Sequence, residues 1–308
     1  VAGGAVAQDG GVSAPLFQVG AVDVRPNVAY GLTYDDNIYA AHRSGGNKRE
    51  DIVHNFAPGV TLGAGDYRGQ SGSYFSANYV ASMLFYQDNT GANANNHNAS
   101  ISLGGGERLS WRFDQTLVSA SDADTTNLAA AGQVKRRAWS STLGTVYDLS
   151  DKTNLETSFA YILNDYDTAT TFDSWRAQGN ALLDYEMTAK LHYAFGGSVG
   201  YDQVDGGRNS IFEQINTRAI WEISPKLAMR ATVGVEFREY QGISLDRANF
   251  VYDVAADWKI SPLTVASLGT SRAVTPSNSL SNQMATRTSV NGLISHKIGE
   301  RYTATLST

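Results

Sequence analysis

Cysteine is missing from all 308 residues. No disulfide can staple the chain, and no thiolate can hold a metal. Long apolar runs are missing as well: nowhere do about 18 consecutive residues stay apolar, so no transmembrane helix is expected. Charged residues make up only 18% of the chain and the net charge is −6, which argues against nucleic acid as a partner. No His-Glu-x-x-His phrase and no phosphate loop occurs. The five histidines, His42, His54, His97, His192 and His296, are scattered through separate segments. A hydrolase needs a base beside its nucleophile, so no enzyme, cofactor or metal centre is expected. The acidic phrases Ser121-Asp122-Ala123-Asp124 and Asp165-Tyr166-Asp167 lack the glycine and terminal glutamate of a calcium loop and read as solvated loops.

What is present is a repeat. Tyr147-Asp148-Leu149-Ser150-Asp151-Lys152 returns as Tyr185-Glu186-Met187-Thr188-Ala189-Lys190 and as Trp221-Glu222-Ile223-Ser224-Pro225-Lys226. Trp258-Lys259-Ile260-Ser261-Pro262-Leu263 and His296-Lys297-Ile298-Gly299-Glu300-Arg301 follow. Between the aliphatic positions 149, 187, 223, 260 and 298 the steps are 38, 36, 37 and 38 residues. A fixed period of this size marks a repeated supersecondary unit. Each unit is two alternating segments around a tight turn, followed by a longer polar connection. That is a β-hairpin.

The alternation has period two. Leu191, Tyr193, Phe195, Val199 and Tyr201 oppose His192, Ser198 and Asp202; Leu227, Met229, Val233, Val235 and Phe237 oppose Arg230, Thr232, Glu236 and Arg238. Fourteen complete strands can be followed, and a fifteenth begins at Tyr302. Short turns alternate with long loops rich in Asn, Asp, Gly, Ser and Thr, the arrangement of outer-membrane barrels. The 16 Tyr, 11 Phe and 5 Trp suit two interfacial girdles. Tyr147, Tyr185, Trp221 and Trp258 fall at one height beside the short turns. Trp175 and Tyr201 fall beside the long loops. Backbone groups in lipid must all be paired, and single-chain bacterial barrels have even strand counts. The expectation is therefore an all-β transmembrane antiparallel β-barrel of about 16 strands over residues 23–308, with the sequence stopping short of a last strand. Residues 1–22 read as a signal-peptide remnant and flexible segment, with the small residues before Gln8 resembling a cleavage site.

The polar parity carries charges of both signs. Arg112, Arg176, Arg218, Arg230 and Arg238 share it with Asp184, Glu236, Asp253 and Asp257. These are the candidates for lining a lumen, since a barrel of about 16 strands is wide enough for water. A closed, salt-bridged interior is the other arrangement that this pattern allows.

The phrase Gly31-Leu32-Thr33-Tyr34-Asp35-Asp36-Asn37-Ile38-Tyr39, with Val24-Arg25-Pro26 before it and Phe56-Ala57-Pro58-Gly59-Val60 after it, resembles the porin-type family of outer-membrane β-barrel proteins that often accompany exopolysaccharide genes in Gram-negative bacteria. The resemblance implies a bacterial outer-membrane location and a channel architecture; it brings no catalytic residues. Physically, Tyr34 would sit at the interface, and Asp35, Asp36 and Asn37 would turn the chain into its loop. The expected role is a porin-like channel for passive passage or export of polar solutes, saccharides among them. The alternative is a non-conducting scaffold or adhesion barrel that binds a surface partner through acidic loops. Expected partners are outer-membrane lipid and lipopolysaccharide, a polar solute or saccharide, and a homo-oligomer or surface protein.

Overall fold

The computed structural model of the chain describes residues 17–39, 48–121, 134–167, 172–242, 247–276, 284–299 and 302–307. Among these described residues sixteen strands run in chain order. β1 (Phe17–Val19), β2 (Val22–Asp35), β3 (Asp51–Asp66) and β4 (Ser71–Tyr86) come first. β5 (Ala94–Gly105), β6 (Leu109–Ala120), β7 (Arg136–Ser150) and β8 (Thr153–Tyr166) follow. Then come β9 (Ser174–Thr188), β10 (Leu191–Val204), β11 (Ser210–Ser224) and β12 (Leu227–Tyr240). β13 (Arg247–Ser261), β14 (Thr264–Pro276), β15 (Met284–Ile298) and β16 (Tyr302–Ser307) complete the sheet. Every strand pairs antiparallel with its chain neighbours, in the order β1 to β16. Among the described residues the sheet includes the three-residue β1, which pairs with Val22–Val24, just ahead of and across residue 23. β1 and β16 are its two edges and are not paired with each other among the described residues. The small-residue segment before Gln8 and the acidic pair Asp122 and Asp124 lie outside the described residues, as does His42.

The repeated phrase has a mechanical explanation. In several of its copies the aliphatic residue is where pairing slips: the register jumps between Asp148 and Ser150, between Glu222 and Ser224, and between Lys259 and Ser261. One extra residue on one strand is a β-bulge, which raises local twist. The small residue that follows caps the two-residue turn through its hydroxyl. Ser224 Oγ accepts the amide N–H of Lys226 at 3.2 Å and of Leu227 at 3.1 Å; Ser150, Thr188 and Ser261 do the same for Lys152, Lys190 and Leu263. The residue after each aromatic donates its amide to the turn of the preceding unit. Glu222 binds the Lys190 carbonyl at 2.8 Å and Lys259 that of Lys226 at 2.7 Å. The sequence period is thus the distance between bulge, cap and interlock.

Burial is inverted relative to a water-soluble protein. The apolar face carries exposed Phe195, Val199, Ile215, Phe237, Leu268 and Val290 along strand after strand. The opposite face buries Asp184, Asp202, Glu236 and Arg238. The sheet curls around this polar face, since side chains bridge strands that are not neighbours: Arg218 on β11 reaches Glu156 on β8 at 2.6 Å.

At the long-loop end, Asp51 organises the rim. Its carboxylate accepts the N–H groups of Ile52, Gln87, Asp88 and Asn89 and the Asn89 side-chain amide, at 2.7 to 3.1 Å. Ile38 packs beside it on Val53, Tyr86 and Ala92. Burial of Asp51 opposes ionisation, but the hydrogen bonds from Asn89, Asp88 and Ile52 prevail and hold its pKa at about 2. A carboxylate with a depressed folded pKa stabilises above its unfolded value near 4, and that contribution is lost as pH falls towards the folded value. Backbone amides of residues 87–89 should therefore exchange faster as pH is lowered from 4 to 2, after correction for intrinsic rates. Asp51→Asn should give the acid behaviour already at pH 7.

Candidate functional site

The polar face forms the interior, and register places its side chains in slanted rows. One row runs Thr61, Asn78, Ser100, Thr116 and Ser140 across β3 to β7, then Ile162, Arg176, Asp202 and Ser210 across β8 to β11. Its first half is an uncharged wall of hydroxyls and amides; Thr61 and Asn78 bond at 3.2 Å. Its second half enters a charged cluster.

That cluster sits at the long-loop end of β9 to β12. Arg176 Nε donates to Asp202 Oδ1 at 2.6 Å, and Nη2 donates to Oδ2 at 3.0 Å. Arg238 donates to the same carboxylate, to Ser210 Oγ at 2.7 Å and to Glu236 at 2.8 Å. Two cations therefore meet two anions, with Arg238 fully buried. Phe212, 2% exposed, is an apolar residue of the interior face that packs within this cluster. The Arg238 and Arg176 guanidinium carbons lie 4.5 and 5.0 Å from its ring centroid, a double cation–π arrangement.

The ring needs a bare neighbour. Phe212 pairs with Gly200 across β10 and β11, and a Cβ on Gly200 would come within 2.3 Å of the Phe212 ring and 2.9 Å of the Ala177 carbonyl. Gly200→Val should therefore evict the ring and cost about 1–3 kcal/mol by overpacking, read as a lower unfolding midpoint in detergent. Adding Phe212→Ala to that variant should recover part of the loss. Tyr74 uses Gly104 in the same way; a Cβ there would stand 2.3 Å from its ring.

A second network lies nearer the short turns. Arg218 Nη2 donates to Glu156 at 2.6 Å and to Asp184 at 3.2 Å, and His192 faces Asp184 at 3.3 Å. Beside it a cavity of about 500 Å³ is lined by Tyr74, Arg112, Glu156, Ser158, Asn180 and Arg218 among others. Arg112 pairs with Asp114 and donates to Gln70 at 2.7 Å.

The nine lumen candidates thus separate. Arg176, Glu236 and Arg238 are locked in the upper cluster; Asp184 and Arg218 form the lower network; Arg112 borders the cavity. Arg230 and Asp253 lie exposed on the polar parity, and Asp257 accepts a hydrogen bond from Ser267 at 2.6 Å. Sequence reasoning missed Phe212 and Gly200, although an apolar residue on the polar parity opposite a glycine is a readable signal. On the apolar face, Tyr147, Tyr185, Trp221 and Trp258 are exposed. Trp175 lies between Tyr201 and Tyr161 in tilted contacts, with centroids 5.1 and 5.9 Å away. His54 and His97 bond the hydroxyls of Tyr30 and Tyr79 at 2.7 and 2.8 Å.

Gly196-Gly197-Ser198-Val199-Gly200 has the Gly-x-Ser-x-Gly spacing of many hydrolases, but it lies within β10, not on a strand-to-helix elbow. Ser198 donates to Gln214 Oε1 at 2.9 Å. That hydrogen bond supplies no base.

No family model and no curated protein matches the chain. Among solved structures, a mutant of the ferric enterobactin receptor PfeA from Pseudomonas aeruginosa is similar at 8% identity and a TM-score of 0.47, covering 94% of this chain and 53% of its own. The siderophore receptor PiuA from Acinetobacter baumannii is similar at 12% identity and a TM-score of 0.42, covering 90% of this chain and 61% of its own. A mutant porin from Rh. blastica, at 9% identity and a TM-score of 0.29, covers 89% of this chain and 98% of its own. The chain spans about half to three-fifths of the length of the two receptors.

Proposed function

We propose that the chain forms the wall of a bacterial outer-membrane channel that passes polar solutes passively. The inverted burial carries this reading: one face of a continuous antiparallel sheet exposes aliphatic and aromatic side chains, and the other gathers hydroxyls, amides and charges. In water, each fully exposed Leu or Phe forgoes about 1.5–3 kcal/mol of burial; in hydrocarbon that cost vanishes. Inside, hydroxyl and amide rows offer replacement partners for a solute's hydration shell. Such rows suit hydroxyl-bearing solutes, and saccharides are the class that the sequence resemblance implies. Lys135, Arg136 and Arg137 border a recess at the long-loop end, where Arg137 projects on the parity of Trp139. There Arg137 would meet lipopolysaccharide phosphates.

The second reading is a non-conducting scaffold, and the packed Arg238 cluster favours it, because it fills part of the interior with side chains. Recording from the purified protein in planar bilayers separates the two. Steady ohmic steps that scale with protein added support the channel. A folded, inserted and silent protein supports the scaffold. The same preparation should release no product from lipid or peptide substrates.

A further inference from the structure

The pairing of β13 with β14 ends at Tyr252↔Arg272, yet both strands continue. Among the described residues, β13 runs on to Arg247 paired only with β12, and β14 runs on to Pro276 paired only with β15. Between them the sheet is split at the long-loop end. The freed end of β14 turns inward: the Val274 carbonyl accepts a hydrogen bond from Arg176 Nη2 on β9 at 3.0 Å, and β14 touches β10. Val274 shares the parity of Leu268 and Thr270, which face outward, but it is only 4% exposed. Its sequence parity and its position disagree. Extending the existing register by two residues would pair Val274 with Phe250, which is 55% exposed on the apolar face. In that position Val274 would be where its parity places it, and the unpaired backbone of β13 would gain partners, as hydrocarbon requires.

We propose that the end of β14 with its β15 partner residues is a gate: latched on Arg176 it closes part of the long-loop mouth, and zipped onto β13 at Phe250↔Val274 it opens it. This rests on the channel reading above. The latch is the same guanidinium that binds Asp202 and covers Phe212, so release moves one bond of Arg176 and leaves the Arg238 pairs intact.

The absence of cysteine makes the test clean. Phe250→Cys with Val274→Cys leaves Arg176 in place and can be oxidised in reconstituted vesicles. Cross-strand neighbours fall within reach of a disulfide. The gate predicts efficient cross-linking in the native membrane fold, a severalfold higher conductance when oxidised, and reversal by reductant. R176Q, checked for folding by heat-modifiable mobility on gels, should cross-link faster in the same cysteine background. Failure of the pair to cross-link in folded protein overturns the gate and makes the β14 end a fixed plug. Cross-linking with unchanged conductance in a conducting channel also overturns it. Cross-linking in a protein silent both oxidised and reduced leaves the movement standing and removes the channel reading instead.

Discussion

Replacing Arg238 with Met should destabilise the folded barrel by about 3–5 kcal/mol, the usual cost of removing one partner from a buried ion pair. Arg238 is 0% exposed, and its loss would leave Asp202 with one cation and Glu236 with none of those it now touches. The cluster would change from two charges of each sign to a net negative charge at a buried site. Coupling follows directly. Arg238→Met combined with Glu236→Gln restores balance and should lose less than the single change, a non-additivity expected of groups sharing one network. Urea unfolding in detergent micelles, followed by tryptophan emission, measures both. If water filled the interior at this height, the pair would behave as an exposed salt bridge and the single change would cost at most about 1 kcal/mol.

Phe195→Arg is expected to cost about 2–4 kcal/mol in lipid, the depth-dependent penalty for a cation on the outer wall of a membrane barrel near its midplane. Phe195 lies in the middle part of β10, 58% exposed on the apolar face. The matched control is Thr116→Arg, on the interior row between Ser100 and Ser140. There the new guanidinium enters the hydroxyl-lined interior, and the change should stay within about 0.5 kcal/mol, as for a surface site. A soluble sheet with an apolar core would reverse the contrast only at buried positions, and Phe195 is not one.

Much of this architecture is legible in the sequence because successive strand side chains point to opposite faces and hairpin turns fix register. The parity of Tyr193, Phe195 and Val199 against His192 and Ser198 places each on its face. The turn at Pro225 and Lys226 then brings Arg238 opposite Phe212. What cannot be read is which interior charges pair. Arg218 contacts Glu156 62 residues away, across two intervening strands. Such contacts depend on how tightly the sheet curls, a property that no local pattern encodes. The split between β13 and β14 is hidden for the same reason: alternation in both strands continues past Arg272. The strand β1 escapes notice because three residues are too few to show a period.

The proposed wall has hydrocarbon against its apolar face and a polar interior on the other. Single cysteines placed in turn from Leu191 to Val204 and labelled with a nitroxide would test this in reconstituted vesicles, by collision with oxygen, which concentrates in lipid, and with a water-soluble nickel chelate. Oxygen maxima are expected at Tyr193, Phe195, Gly197 and Val199, alternating with minima at Ala194, Gly196 and Ser198. Equal access of the nickel chelate to both sets, or an apolar face closed to both reagents, would contradict a lipid-facing wall.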